Sequence, residues 1–560
     1  MTSTRQAAST AEPSIPALNG AAPSLQPLTA SGSRVIRNSG FALLGPAVPF
    51  GLAVLAMPVL TRALGAPRFG ILGLGWALLE YLSLFDIGLG RATTRFVAER
   101  VAQRDRGLAS IVIASASLQT LFGAVAGVAL ALLSPLLAHR VFAIPAELRH
   151  ETQVAFLILA STMPMVLLSL ALRGVLEAAG RFDLSAAVRI PSGTATFLLP
   201  ALGASLGLKL PGIFFLLLLS RIVTCGVLIL AVRRALPGVT WNLRTQWQLP
   251  KGMLAFGGWI AVSNFASPIL VYLDRFMLGA IAGVTVVGLY TPAYEAATRL
   301  LILPGSLLNA AFPIVSAASA DDRDRLARLF LSLVRHLLVL LAPIVLLLAV
   351  FAPEVLHVWL GPQYASNSAS ALRILAIGVV INGLGHVPCG YLQARGRPDL
   401  PARFHLVELA LHVPLTWVLV HRLGITGAAL AWTIRVTADA VMLFVAAHRV
   451  LHLSLPRALG GRGARAIVAL VGFASLTTVA TIFRSHPHAL VVTLAAIIVC
   501  FVVGVWRGVF DDAEREAALH ALALGRFSPR LRRTEPSPFT DPVAGSASAR
   551  ELPLRDVEPA

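Results

Sequence analysis

Fourteen apolar stretches, each roughly 20 residues long, alternate along the chain with short polar loops. They lie near Phe41–Leu60, Gly70–Leu89, Leu108–Leu133, Val154–Val175, Ala186–Ala204 and Pro211–Val232. The next six are near Leu254–Gly279, Val287–Ile314, Leu331–Leu356, Leu372–Leu392, Leu406–Val420 and Gly427–Val450. A final pair follows at Ala466–Ile482 and Leu490–Trp506. Hydrocarbon offers exposed backbone no hydrogen-bond partner, so stretches of this length are expected to cross a bilayer as helices. The expected fold class is therefore all-α, a polytopic membrane protein with fourteen transmembrane helices.

An internal repeat orders these spans. The loop Gly174-Val-Leu-Glu-Ala-Ala-Gly180-Arg181-Phe-Asp183-Leu184 matches Gly390-Tyr-Leu-Gln-Ala-Arg-Gly396-Arg397-Pro-Asp399-Leu400 at seven of eleven positions, at an offset of 216. The same offset lays Ile158-Leu159-Ala160 on Ile374-Leu375-Ala376. At nearby offsets Leu60-Thr61-Arg62 answers Leu273-Asp274-Arg275, and Leu206-Gly207-Leu208 answers Leu423-Gly424-Ile425. The unit is six helices. Six is even, so both copies enter the membrane the same way round, related by an axis along the membrane normal. The expected organisation is a six-helix bundle over residues 34–235 and a second over 250–452, facing each other across a central cavity. An extra helix pair over 463–508 lies outside the repeat, and the tails 1–33 and 509–560 are expected to be cytoplasmic and largely disordered. The Gly-Arg-x-Asp loops read as tight turns with a structural role.

Composition agrees with the pattern. Of 560 residues, 56% are hydrophobic and 13% charged, against roughly 25% charged in a soluble domain. The net charge of +19 would suit nucleic acid, but Lys and Arg crowd alternate loops, as at Arg91, Arg95, Arg100, Arg104 and Arg106, then Arg233, Arg234 and Lys251. This asymmetry is the positive-inside rule. It places both termini in the cytoplasm of a cell with an inner membrane, and no nucleic-acid partner is expected. The stretch from Arg91 to Arg106 should lie along the cytoplasmic leaflet as an interfacial helix. Cys225, Cys389 and Cys500 match no metal or redox spacing, and the first ~33 residues lack the apolar core of a cleavable signal peptide.

Several runs carry a family resemblance. In the first half they are Leu60-Thr-Arg62-Ala-Leu-Gly65, Phe69-Gly70, Asp86-Ile-Gly88-Leu-Gly90 and Arg95-Phe-Val-Ala-Glu99. In the second half they are Asp274-Arg275, Leu278-Gly279, Gly288-Leu-Tyr290, Trp359-Leu-Gly361 and Gly427-Ala-Ala-Leu-Ala-Trp432. Over residues 34 to 450 the chain resembles polysaccharide-exporting flippases of the Wzx type, in the multidrug/oligosaccharidyl-lipid/polysaccharide superfamily. The resemblance implies alternating access and a substrate of undecaprenyl-diphosphate-linked oligosaccharide, moved from the inner to the outer leaflet for surface polysaccharide such as O-antigen, capsule or exopolysaccharide. Membrane lipids, a polysaccharide polymerase and a chain-length regulator are the implied partners. No cofactor is implied, apart from a proton or sodium ion as coupling ion. The extra helix pair and the long tails depart from the simplest members.

Charges inside the membrane are the candidate site, because each costs about 2.5–3.5 kcal/mol or more on insertion scales. Arg221 and Arg435 occupy equivalent places in the two bundles, nine residues after Gly212 and eight after Gly427. A guanidinium fork holds a phosphate through two parallel hydrogen bonds and keeps its charge when buried. The competing reading is an ion pair, and Asp439 stands four residues after Arg435, on the same helical face. Arg275 and Arg299 are further candidate substrate contacts. Asp274, Glu295 and Asp439 are candidates for coupling an ion, although Glu295 and Arg299 are also spaced to pair with each other. Glu80 points to a different face from Asp86, whose natural partners are Arg91 and Arg95. Arg189 and Arg373 sit near helix ends, where they can snorkel. Glu408 and His412 read as a structural pair or as a proton relay. His486 and His488 are two ligands at most.

Other functions fit less well. A drug or cation antiporter of the same fold would want an acid-rich cavity. A polymerase or ligase would need a large extracytoplasmic segment, and no catalytic triad, paired-carboxylate or phosphate-loop arrangement is present. A membrane scaffold has no use for central arginines.

Overall fold

The computed structural model describes residues 32–82, 89–103, 108–237, 269–317, 323–451, 461–512 and 514–516, and every regular element among them is helical. The expectation of disordered tails falls almost wholly outside these residues, as does that for Asp86.

Helix α1 (Gly32–Leu82) carries the first two expected spans and is broken at Gly65, where φ is 67°. Helix α2 (Leu89–Gln103) matches the expected interfacial stretch. Its Val97 is fully buried against Ile111, Leu172, Val175 and Leu228, which fixes it to the bundle. Then come α3 (Leu108–Leu136), prolonged by a π turn at Leu137–Val141, α4 (Ala146–Ala178), α5 (Phe182–Ser205) and α6 (Leu210–Ala235). The second half opens with a helical segment at 269–281, here α7. It continues with α8 (Val284–Thr298), a 3-10 turn at Arg299–Leu301, α9 (Ile302–Ala317), α10 (Arg323–Val350), α11 (Ala352–Leu360), α12 (Pro362–Ala394) and α13 (Asp399–Leu451). Helix α13 carries two expected spans and is broken at Gly424, φ 54°. The last pair is α14 (Arg462–Val479) and α15 (Pro487–Gly508).

Among the described residues nine helices are long and apolar enough to cross a membrane. The count of fourteen is not established by them. Two of the nine, in α1 and α13, are pairs joined across a glycine kink. The expected span Val287–Ile314 is interrupted at Arg299–Leu301, and Leu331–Leu356 ends at Val350, with α11 following as a separate short helix.

The repeat appears in the turn geometry. Gly180 and Gly396 take φ of 72° and 74°. The N–H groups of Arg181 and Arg397 donate to the carbonyls of Leu176 and Leu392, both at 2.9 Å, the closure of a Schellman motif. Each arginine then grips the aspartate two residues on, Arg181 to Asp183 at 3.0 and 2.9 Å and Arg397 to Asp399 at 3.0 and 3.2 Å.

Helices α3 to α6 pack with α1 in one half, and α10 to α13 pack together in the other. Helix α8 touches both, lying against α1 and α12. At its crossing with α1 the backbones meet. A Cβ on Gly70 would stand 1.8 Å from the Val284 carbonyl oxygen, and one on Gly288 2.0 Å from that of Ala66. Nearby, the Ala143 N–H donates to the Gly279 carbonyl at 2.9 Å and the Trp359 indole to that of Val54 at 2.9 Å, while Ser368 ties α12 to α8 through the Leu289 carbonyl at 2.9 Å. The contacts between the halves seal one end of their interface. The pair α14–α15 packs outside, on α10.

No side chain fits at the α1–α8 crossing without moving a backbone. Gly70→Ala is expected to destabilise the protein by about 1–3 kcal/mol, the usual penalty of overpacking, read as a lowered melting temperature in detergent. An unchanged melting temperature would mean that the two backbones do not touch.

Candidate functional site

Between the halves, on the inner side of that seal, lies a cavity of about 430 Å³. The first half supplies Trp76 and Glu80 from α1, Thr196 and Phe197 from α5 and Arg221 from α6. The second supplies Tyr272 and Arg275 from α7, Tyr294 and Glu295 from α8, then Arg299, Asn382 of α12 and Arg435 of α13, with Trp432 below it. The four arginines singled out in the sequence therefore line one cavity, with two carboxylates, Glu80 and Glu295, also on its wall. Asp274 and Asp439 do not line it.

Each arginine is held differently. Arg221 donates to two hydroxyls of α5, Nη1 to Ser192 and Nη2 to Thr196, both at 3.1 Å. No carboxylate among the described residues is paired with it. Arg275, with a side chain 4% exposed, lies 3.6 Å from Glu295. Its guanidinium stacks over the rings of Tyr294 at 4.1 Å and Tyr272 at 5.2 Å, a cation–π cage that replaces hydration. Arg299 closes the i, i+4 pair with Glu295 at 2.8 Å and reaches across the interface to the Phe197 ring at 5.3 Å. Glu295 thus pairs with two cations at once, and the trio keeps one net positive charge. Arg435 does not pair with Asp439, as helical spacing suggested. Its Nη1 donates instead to Glu408, at 3.4 Å, from the other limb of α13. The Gly424 kink folds these limbs against each other, bringing together residues 27 positions apart.

Asp274 is fully buried behind the cavity wall. It accepts the Tyr290 hydroxyl at 2.5 Å and the Arg275 N–H at 2.8 Å. This arrangement orients α7 and leaves Asp274 no direct opening to the cavity. Arg373 reaches the Ala349 carbonyl at 3.3 Å. The three cysteines are free thiols, and no cluster of three or more metal-ligating side chains exists among the described residues.

One residue near the site escaped the sequence analysis. Arg173 of α4 is half-buried, bonded to the Ser169 carbonyl at 3.3 Å, and lies close to Arg189, Arg221, Glu177 and Glu80. It stands inside the apolar stretch Val154–Val175, so the same cost argument singles it out. Its repeat counterpart is Cys389, and a search by repeat symmetry passes over it.

Comparison with known proteins follows the same lines. The family model described as "Polysaccharide biosynthesis protein" matches residues 35–319, and one described as "MatE" matches 260–418. A protein of Shigella flexneri named "Putative O-antigen transporter" is 30% identical over 416 residues, covering 73% of this chain and 96% of its own. The "Probable low-salt glycan biosynthesis flippase Agl15" of Haloferax volcanii is 23% identical, over 70% of this chain and 79% of its own. Among solved structures, the inward-facing conformation of a multidrug resistance MATE family transporter shares the fold with a TM-score of 0.61, at 18% identity over 73% of this chain and 98% of its own. A transporter of the same superfamily from Pyrococcus furiosus does so with 0.57, at 18% identity over 75% and 95%.

Breaking the double pair is expected to be costly. Glu295→Ala strips two cations of their partner and should destabilise the protein by about 3–5 kcal/mol. Arg299→Ala, at a side chain 39% exposed, should cost about 1 kcal/mol or less. Thermal melts of the two purified variants check the order, and equal losses would refute it.

Proposed function

The chain belongs to the polysaccharide biosynthesis protein family, and from that premise we propose that it is a flippase carrying lipid-linked oligosaccharide across the cytoplasmic membrane. The observation that carries the reading is the cavity wall, where four arginines face two carboxylates. Such a wall favours an anion, and a lipid-linked sugar presents one in its diphosphate. The relatives named as an O-antigen transporter and a glycan flippase support the same class of substrate. The chain is a multi-pass transporter and no enzyme: the work is binding and movement, with no bond made or broken.

In this reading Arg221 is the principal phosphate contact, since its direct hydrogen-bond partners are neutral hydroxyls and Glu80 is its nearest acid across the cavity wall without bonding to it. Arg275 and Arg299 form the opposite wall. Both termini lie in the cytoplasm of a bacterium with an inner membrane, which makes the Gly65 and Gly283 loops external and the α1–α8 seal the outer gate. The conformation is then closed outward, with the cavity serving the cytoplasmic leaflet. Rocking of residues 34–235 against 250–452 would open the outer side. A polymerase and a chain-length regulator are the partners that would receive the exported units. A cation antiporter shares this fold, but four arginines would repel its substrates.

The test is depletion of the protein from its host. Undecaprenyl-diphosphate-linked oligosaccharide should build up on the cytoplasmic leaflet while surface polysaccharide is lost. Build-up of short chains on the outer leaflet would point to polymerisation or ligation, and altered drug sensitivity alone to the antiporter. Arg221→Ala should abolish export with insertion intact. Full export by the double variant Arg221→Ala/Arg435→Ala would sink the cationic-cavity reading.

A further inference from the structure

The two repeat-related arginines are gripped from the same positions. The offset of 216 that aligns the Gly-Arg-x-Asp turns carries Ser192 onto Glu408 and Thr196 onto His412. In the first half these positions hold two hydroxyls on Arg221. In the second they hold a carboxylate bonded to Arg435 and a fully buried histidine. Four residues after each arginine stand Cys225 and Asp439. In the first half the groups bonded to the arginine are neutral, with the charge of Glu80 acting from the cavity wall; in the second the bonded group is an acid.

Glu408 is 4% exposed, and the carboxyl of Asp439 lies against it within hydrogen-bonding reach. One oxygen of each, Oε1 of Glu408 and Oδ1 of Asp439, is buried with no donor, and Nε of Arg435 is buried with no acceptor. Two carboxylates lie together and the guanidinium bonds Glu408 alone, which leaves the second negative charge with no direct counter-ion among the described residues. Like charges this close do not both stay ionised, and one proton between them settles the balance. Other titratable groups face the pair. His405 and His412 share their limb of α13, with His412 against Thr416 at 3.3 Å. Cys389 of α12 faces Asp439. Asp274 of α7 and Tyr294 of α8 face the arginine from the far side. A sodium ion fits poorly, because the Arg435 guanidinium already fills the cation position.

We propose that Glu408 and Asp439 form a proton-binding site, and that loading it weakens the hold on Arg435 and turns that arginine toward the cavity. The proton site stands on its own geometry; its effect on a diphosphate rests on the flippase reading. Arg435 is well suited to be released, since a single long hydrogen bond at 3.4 Å holds it and it already lies on the cavity wall. Arg221 offers a constant cation and Arg435 a conditional one.

Two measurements on the full-length protein in detergent test this. In infrared spectra near neutral pH, a carboxylic-acid carbonyl band should be present, and both Glu408→Gln and Asp439→Asn should remove it. A spectrum that neither substitution changes would overturn the proposal, whatever the substrate. The second measurement is binding of farnesyl diphosphate from mildly acidic to mildly alkaline buffer. Protonation frees Arg435, so wild-type affinity should fall as pH rises, by at most about tenfold per pH unit for one linked proton. Glu408→Gln mimics the loaded pair and should bind tightly throughout. Asp439→Asn leaves a simple Glu408–Arg435 pair and should bind weakly throughout. The two variants therefore move in opposite directions, which loss of packing would not produce. Equal pH dependence in all three proteins would overturn the release of Arg435, and restoration of alkaline binding by sodium would replace the proton with a metal cation. Absence of diphosphate binding by every protein at every pH would overturn the flippase reading and the release of Arg435 with it, and the infrared band would still decide the proton site.

Discussion

A charge in hydrocarbon has no water to turn to, and the interior of this molecule is arranged around how each buried arginine is answered. Arg275 receives a carboxylate and two aromatic faces, the fullest compensation of the set. Arg299 shares the same carboxylate from a wetter position. Arg221 bonds two hydroxyls among the described residues, with Glu80 acting on it from further off. An arginine solvated by neutral dipoles keeps its full attraction for an anion, whereas one neutralised by a carboxylate must lose that partner first. Compensation in the resting state and affinity for a substrate therefore oppose each other, and the four arginines are spread along that scale.

Backbone contact sets the second constraint. Helices α1 and α8 meet so closely that no side chain separates Gly70 from Val284 or Gly288 from Ala66. Small residues at such a crossing let backbones approach where packing, not the hydrophobic effect, drives association inside a membrane. The backbone contact lies at one end of the interface, and the cavity lies beyond it. An interface interrupted by a polar cavity is easier to part than two apolar faces packed along their length. The same design lets α8, packed on both α1 and α12, carry Glu295 and Tyr294 to the site.

Much of this was legible in the chain, and the limits are instructive. Apolar length marked the spans, the Gly-Arg-x-Asp turns exposed the duplication, and the cost of buried charge picked out four arginines that meet in one cavity. Partners were harder. Spacing of four residues paired Glu295 with Arg299, because both stand on one helical run. The same rule gave Asp439 to Arg435 and failed, because the kink at Gly424 brings a better-placed acid from the preceding limb. Local periodicity sees one helix at a time; counter-ions across a kink depend on packing. Kinks also blurred the span count, since Gly65 and Gly424 join spans that hydropathy separated, and the turn at Arg299–Leu301 divides one it had joined.

Duplication alone would give two equivalent arginines facing each other, and a cavity that grips an anion equally from both sides has no reason to let it go. The positions around each arginine differ: Ser192 against Glu408, Thr196 against His412, Cys225 against Asp439. The arginines themselves do not. Divergence confined to the partners keeps the geometry of the repeat while changing when each charge is free. On the proposal above, an anion held by a constant cation on one wall and a conditional one on the other would be bound tightly only while the second is released. A carrier working by alternating access needs such a difference between its loading and unloading states, and the turning of one side chain would supply it alongside the rocking of the bundles.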